Sequence, residues 1–358
     1  MDMATVLKAL DEFCQSQAPG TVIPSHPELM RRFQASERSV RWSIEELVRQ
    51  GKISRRHGAR TRVADFPRGA SGNGHPPTES LAPDSARHTV VAIAQPDHAF
   101  FDHALQLLAD QTERAGLSLV CRPYNRAVAG ALRGERPLGY LLFGRAMAGL
   151  ATQLQGEGKR VVLVATPAAG ESFEVPHVHG DQQKGGYLVT RHLIESGHRR
   201  IAIDGVGDAE NRSSPRVLGH LRAVAEAQLA GLSVESSFVP LDRLKVWKEN
   251  PSMALEFWRG DRAPTAIAAW NDRDALRYMG FLSYAGIRIP EQVSVVGYDN
   301  LPDSEHCHPS LTTIDPAVET QLETALDMLQ QEQDLDPRRS VIVVPHLIAR
   351  ASSGNPSS

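Results

Sequence analysis

The run Gly286–Asp299, GIRIPEQVSVVGYD, sets a short apolar strand, Val293–Val296, just ahead of a carboxylate, Asp299. A helical pattern, Asp274–Ala285, leads into it. A brief apolar run of this kind fits a strand buried on both faces. Outward from it the same unit repeats. Further strand candidates are Val90–Ala94, Leu117–Cys121, Leu138–Phe143, Val161–Val164, Ile201–Ile203, Ser237–Pro240, Ala266–Ala269 and Val341–Val344. Helical stretches between them include Phe101–Ala115, Gly185–Ser196, Arg216–Leu229 and Ala317–Gln331, the last with Asp315 as cap and Pro316 at its first position. Apolar strands alternating with amphipathic helices indicate an α/β body, its parallel sheets flanked by helices. Residues 88–352 are therefore expected to form two lobes around a cleft. The first lobe takes about 88–198 plus 302–330 and the second about 199–301 plus 331–352, with a disordered tail at 353–358.

Ahead of this body the composition breaks. Pro67–Ser85, PRGASGNGHPPTESLAPDS, has too few large apolar side chains to offset the entropy of ordering it, and residues 67–87 read as a flexible linker. It leaves a small head, residues 1–66. Val6, Leu7, Leu10 and Phe13 have the spacing of an amphipathic helix, which Pro19-Gly20 ends. Ser25 caps a second helix with Pro27 in its first turn, and a third begins near Ser36, faces inward through Val40, Ile44 and Leu47, and stops at Gly51. Ile53–Arg56 and Thr61–Val63 flank His57-Gly58 as a hairpin. Three helices and a hairpin make a winged helix-turn-helix.

Charge follows the same division. The whole chain carries a net −3, which taken alone argues against a nucleic-acid partner. Residues 31–62, however, hold ten Lys/Arg against three acidic residues. A basic patch beside an acidic body is compatible with phosphate binding, because the patch and not the average meets the DNA. No apolar run is long enough to span a bilayer, and Met1-Asp2-Met3-Ala4 lacks the basic-then-apolar pattern of a secretory signal, so a cytoplasmic protein away from membranes is expected. Cys14, Cys121 and Cys307 are odd in number and fit neither a disulfide framework nor a zinc finger.

The head resembles the DNA-binding domain of GntR-type regulators. The pieces are P-G-T-x-I-P-S (Pro19–Ser25), E-L (Glu28-Leu29), S-x-x-S-V-R-x-S-I-x-x-L (Ser36–Leu47), G-x-I (Gly51–Ile53) and H-G-x-x-T-x-V (His57–Val63). The resemblance implies a third helix in the major groove, with Ser36, Arg38, Ser39 and Arg41 at the DNA, and a wing tip at His57 and Gly58. Pro27 and Glu37 stand where that family usually has arginine, and Arg60 and Arg62 replace a wing glycine and aromatic, so the operator sequence does not carry over.

In the body, no Walker loop, dinucleotide fingerprint or nucleophile elbow occurs, and no acid–base pair stands out, so an enzyme is not expected. His177-x-His179 and His306-Cys307-His308 lack a matching second pair and read as ordinary side chains; no metal or cofactor is expected. The body resembles the effector domain of LacI/GalR-type repressors, itself similar to periplasmic sugar-binding proteins. The carriers are V-x-x-D-x-x-x-G-G (Val178–Gly186), H-L-I-E-S-G-H-R-R-I (His192–Ile201), R-x-x-G-x-L-R-A (Arg216–Ala223), P-T-A-I-x-A-x-N-D (Pro264–Asp272), the opening run, and P-S-L-T-T-I (Pro309–Ile314). A GntR-like head on such a body resembles the arabinose-repressor type of chimera.

That resemblance implies effector contacts at Asp181, Arg216, Asn271 and Asp299, a ligand-packing aromatic at Phe100 or Phe101, and a stacking one near Trp247. Each has a plainer reading: Asp181 and Asn271 as helix starts, Asp299 as a turn residue, Arg216 as a surface ion-pair member, and the aromatics as core. The expectation is a ligand-responsive transcription regulator, a homodimeric repressor that binds a double-stranded operator and senses a carbohydrate-like effector. The alternative is a cytoplasmic carbohydrate receptor without DNA binding.

Overall fold

Thr89–Ala94 is buried along its whole length, with Val90, Ala92 and Ala94 in one apolar cluster and Val91 and Ile93 in another. Alternate side chains of a strand leave on opposite faces, so this strand lies in a sheet covered on both sides. In the computed structural model the described residues are 6, 9–11, 13–14, 21, 23–24, 26–33, 35–36, 39–40, 43–44, 47, 53–54, 62–63 and 88–356, the last span without 97, 126–127, 133, 166, 168–171, 206–213, 241–242 and 332–335. The chain divides into two units, Met1–Thr78 and Glu79–Ser358.

In the first unit, α1 (His26–Phe33) precedes a two-stranded antiparallel pair, β1 (Ile53–Ser54) and β2 (Arg62–Val63), with Ile53 opposite Val63. Val6, Leu10, Ile23, Leu29, Val40, Ile44, Leu47 and Ile53 form its apolar centre.

In the second unit the order is β3 (Thr89–Ala94), α2 (Ala99–Arg114), β4 (Ser118–Pro123), α3 (Val128–Ala131), β5 (Gly139–Phe143), α4 (Ala148–Gly156), β6 (Val161–Val164) and β7 (His177–Gly180). Then come α5 (Gln182–Glu195), β8 (Arg200–Asp204), α6 (Pro215–Leu229), β9 (Glu235–Val239), α7 (Arg243–Glu249), α8 (Pro251–Arg259), β10 (Ala266–Ala268) and α9 (Asp272–Tyr284). The chain closes with β11 (Ser294–Val296), α10 (Asp303–His306), β12 (Thr313–Asp315), α11 (Val318–Gln330), β13 (Ser340–Val343) and β14 (His346–Ile348). One parallel sheet has the order β13-β7-β6-β5-β3-β4 and the other β11-β10-β8-β9. β12 and β14 form a separate antiparallel ribbon, whose Ile314 and Leu347 pack into the smaller lobe's core.

The lobe boundaries differ from the expected ones. Helix α5, expected in the first lobe, packs lengthwise on α6 and sends Val189, Leu193 and Ile194 into the second lobe's core. Strand β13, expected in the second lobe, pairs residue for residue with β7 in the six-stranded sheet. The first lobe therefore takes 88–180 and 316–343, and the chain crosses between lobes at 180–182, 315–318 and 343–346. Sequence order cannot reveal such crossings, because hydrogen-bond register across the sheet decides them. The tail also differs. Ser353 bonds to His192 and Thr312, and the Gly354 carbonyl accepts from the buried His198, so residues 353–354 are fastened to the second lobe. The start of α11 is another correction: Ala317, at φ 54°, precedes the first helical residue, and the Asp315 carboxylate accepts the Ala317 N–H at 2.7 Å from within β12. Missed altogether were β7, β12, β14, α4, α7 and α8.

Candidate functional site

Both sheets end their strands at the same place. A cavity of about 450 Å³ lies beyond the C-terminal ends of β5, β6 and β7 on one side and of β10 and β11 on the other. This is where an open parallel sheet leaves room for a ligand, since strands end there and helices begin. His98, Phe100, Phe101, Arg145, Val164 and Ala165 line the first lobe's wall. Ser214, Arg216, Trp270, Asn271, Tyr298 and Asp299 line the second. His179, Gln182 and Gln321 lie by the crossing segments between the lobes.

The glycines of the motifs explain how Arg216 reaches this wall. A Cβ on Gly186 would sit 2.1 Å from the Arg216 carbonyl oxygen, and one on Gly219 would sit 1.9 Å from that of Gln183. Both neighbours are backbone, so α5 and α6 can approach this closely only where glycine stands on each. Arg216 is then held on three sides. Its Nε donates to Gln182 Oε1 at 2.9 Å, its Nη1 donates to the Trp270 carbonyl, and its guanidinium stacks 3.7 Å from the Tyr298 ring centroid. A guanidinium fixed in this way has little rotamer freedom left to lose on binding.

Asn271 caps α9: its Oδ1 accepts the Asp274 N–H at 2.8 Å, which leaves its amide NH₂ as the polar edge for the cavity. Asp299 has φ 119°, a conformation side chains rarely adopt. The following residue is pinned, with Asn300 Nδ2 donating to Asp315 at 3.1 Å and accepting from Arg350 at 2.9 Å. Backbone strain held in place by its surroundings is common where a side chain must be aimed at a ligand. Asp299 is only 8% exposed, and burial raises its carboxyl pKa to about 8, opposed by the neighbouring Arg216 charge. Burial also lowers the pKa values of His98 and His179 below the usual imidazole value. His98 packs 4.4 Å from the Phe101 ring, and Gly144, at φ 95°, leaves room for that phenyl, since a Cβ there would meet Phe101 at 2.9 Å.

Phe100, Phe101, Arg216, Asn271 and Asp299 are thus brought together, as the resemblance implied. Two others are not. Asp181 caps α5, accepting the Lys184 N–H at 2.8 Å, and lines a separate polar surface depression with Gln183, Lys184, Tyr187, Arg191 and Arg222. Trp247 is 1% exposed and packs among Phe257, Trp258, Tyr278 and Phe281, so it is core and not a stacking platform for a ligand. His98, Arg145, His179, Gln182, Ser214, Trp270, Tyr298 and Gln321 were missed, although nearly all directly follow a strand or begin a helix. The His177 and His179 rings each bond through Nδ1 to a backbone carbonyl, of Val175 and Gly180.

In the head, Ser36 is exposed and its Oγ accepts the Ser39 N–H at 3.2 Å, while Ser39 is 7% exposed. Ser36 is thus the start of the helix at residues 39–47, and a hydroxyl as buried as that of Ser39 serves the helix before any groove. Arg38, Arg41, His57 and Gly58 lie outside the described residues.

The profile of periplasmic binding protein-like domains matches residues 190–353. The chain is 26% identical to the arabinose metabolism transcriptional repressor of Halalkalibacterium halodurans, over 95% of this chain and 92% of that one. It is 33% identical to the HTH-type transcriptional repressor PurR of Aliivibrio fischeri over 49% of this chain, and spans 52% of that relative. A solved LacI transcriptional regulator from a Rhodococcus species superposes with a TM-score of 0.60 at 25% identity, over 74% of this chain and 98% of that one. These relatives are regulators, not enzymes, and no helix among the described residues is long and apolar enough to cross a membrane. The fold, the matched profile and a relative spanning both units agree that this is a LacI-family transcriptional regulator, ligand-responsive and DNA-binding, with a periplasmic-binding-protein-like effector domain.

Proposed function

We propose that the chain is a cytoplasmic repressor in which a GntR-type winged head, residues 1–66, is tethered through residues 67–87 to the effector domain. It acts as a homodimer on a double-stranded operator and senses a sugar or sugar derivative in the interlobe cavity. The observation that carries this reading is the convergence of Arg216, Asn271, Asp299 and Phe101 on one cavity of about 450 Å³, a size suited to a small polar ligand. Guanidinium and amide groups donate to ring and hydroxyl oxygens, and the phenyl covers an apolar C–H face. The arabinose repressor adds support by matching along both units. In the head, Arg41 and the wing provide charge for phosphate and base edges, and two heads on a symmetric dimer read two half-sites.

Closure of the lobes on a ligand changes DNA affinity only if one dimer arrangement binds that ligand better; a coupling of about 1–3 kcal/mol is usual. The test is a mobility shift of the full chain on DNA from its own promoter region, at several salt concentrations. Binding should weaken steeply as salt rises, and Arg41→Ala should weaken it roughly tenfold or more. No shift at low salt would leave a ligand receptor without DNA-binding activity.

A further inference from the structure

We propose that the effector carries a negatively charged group, a carboxylate or a phosphate monoester, held between Arg216 of the second lobe and Arg145 of the first. The inference rests on the cavity being the effector site and goes further by naming the charge of what fills it.

Arg145 and Arg216 line opposite walls, and Asp299 is the one acidic residue among the cavity's lining side chains. A site for a neutral polyol needs carboxylates or amide carbonyls to accept from neighbouring hydroxyls. Here those acceptors are largely committed. The Gln182 carbonyl takes the Arg216 Nε–H at 2.9 Å, and the Asn271 carbonyl takes the Asp274 N–H at 2.8 Å. The Asp299 carboxyl, with its pKa near 8, holds its proton at neutral pH and gives little negative charge to balance the two guanidiniums.

Donors dominate the second wall: the Nη2 of Arg216 and the amide of Asn271 both remain to be met. Three helices also begin at the cavity, at Ala99, Pro215 and Asp272, and their unpaired N–H ends add partial positive charge. The acceptors that remain sit near the first lobe. His179 bonds to the Gly180 carbonyl through Nδ1, which leaves Nε2 as an acceptor, and Gln321 donates through Nε2 to the Pro316 carbonyl, which leaves its own carbonyl. The arrangement fits a hydroxylated molecule with an anionic end, hydroxyls toward the first lobe and charge toward Arg216.

The geometry also links charge to closure. One guanidinium stands on each wall, so bringing the lobes together on an uncharged ligand brings like charges together. An anion between them turns that repulsion into two attractive contacts, and so favours the closed arrangement.

Calorimetric titration of the full chain tests this with D-glucuronate, D-glucose 6-phosphate and D-ribose 5-phosphate against D-glucose, D-ribose and L-arabinose, with inorganic phosphate as the bare anion. At least one acidic sugar should bind tenfold or more tightly than its neutral parent, and Arg145→Gln should remove most of that preference, with Arg145→Lys restoring part. The exposed Arg145 allows both variants to fold, which a thermal melt verifies. Glucuronate and the phosphates separate carboxylate from phosphate. Three results overturn the proposal: a neutral sugar that binds as tightly as its acid, no binding by any acidic sugar at 10 mM, or acidic-sugar binding untouched by Arg145→Gln. A neutral ligand would leave the regulator reading intact, whereas failure to bind DNA would leave the cavity's charge preference intact.

Discussion

The two lobes build their parallel sheets alike and furnish the cavity differently. The six-stranded lobe offers a largely apolar wall, with Phe100, Phe101, Val164 and Ala165 set on the rim of a core that holds Val90, Leu141 and Val162. The four-stranded lobe offers a polar wall, and each polar group there is fixed by a second contact: Arg216 on Tyr298, Asn271 on Asp274, and Asp299 on a strained backbone. The helices behind the walls differ as well. In the second lobe, α5 and α6 meet backbone to backbone through Gly186 and Gly219, whereas in the first Gly139 faces only the flexible end of Leu329, at 2.5 Å. Tight backbone contact positions side chains; side-chain contact only fills space.

The largest effect should come from breaking that seam. Gly219→Val forces α6 off α5 and should destabilise the second lobe by about 3 kcal/mol or more, the upper range for overpacking, with ligand-induced stabilisation lost. Gly139→Ala, against a side chain that can turn away, should cost only about 1 kcal/mol. Urea denaturation of both variants makes the comparison, and equal costs would show that the seam is no tighter than the other core.

Next come the two walls themselves. Arg216→Ala removes a charge-assisted contact and should weaken effector binding roughly 10- to 100-fold, from the 1.5–3 kcal/mol typical of hydrogen bonds to charged groups. Phe101→Leu keeps an apolar wall and should weaken it only about threefold, given the modest extra worth of an aromatic contact. Calorimetry on both, with the ligand the screen identifies, reads the ratio; a larger loss at Phe101 would reverse the roles of the walls.

The smallest effect concerns pH. The Asp299 carboxyl binds its proton more tightly folded than unfolded, so its contribution to stability is full below about pH 4 and is lost as pH rises through about 8. Asp299→Asn should therefore melt higher than the parent at pH 8, by a few degrees, with the gap shrinking toward pH 5. Asp204, also raised by burial, to about 7, contributes a slope of the same sign that remains in the variant. A constant gap across pH 5–8 would show that Asp299 is ionised throughout.

Most of the body's strands were legible because buried parallel strands are continuous apolar runs, as in Val161–Val164 and Ile201–Ile203. His177–Gly180 was missed as a strand because its two histidines read as polar, while in the fold both are buried. Trp247 shows the opposite failure. An aromatic next to a matched segment was read as a stacking surface, and only packing against Trp258 and Tyr278 reveals it as core. Asp181 had both readings open in the sequence, and the cap is the one the fold uses.

The sequence by itself determined the division into a basic head and an α/β body, and placed Arg216, Asn271 and Asp299 at strand and helix ends, because composition and hydrophobic period are local properties. Only the tertiary structure decided which lobe each segment joins and which strand ends face one cavity. It also decided that the groups gathered there are mostly donors. Those outcomes depend on register and close approach between segments far apart in the chain, such as Gly219 on Gln183 and Ser340 beside His177, which no local pattern records.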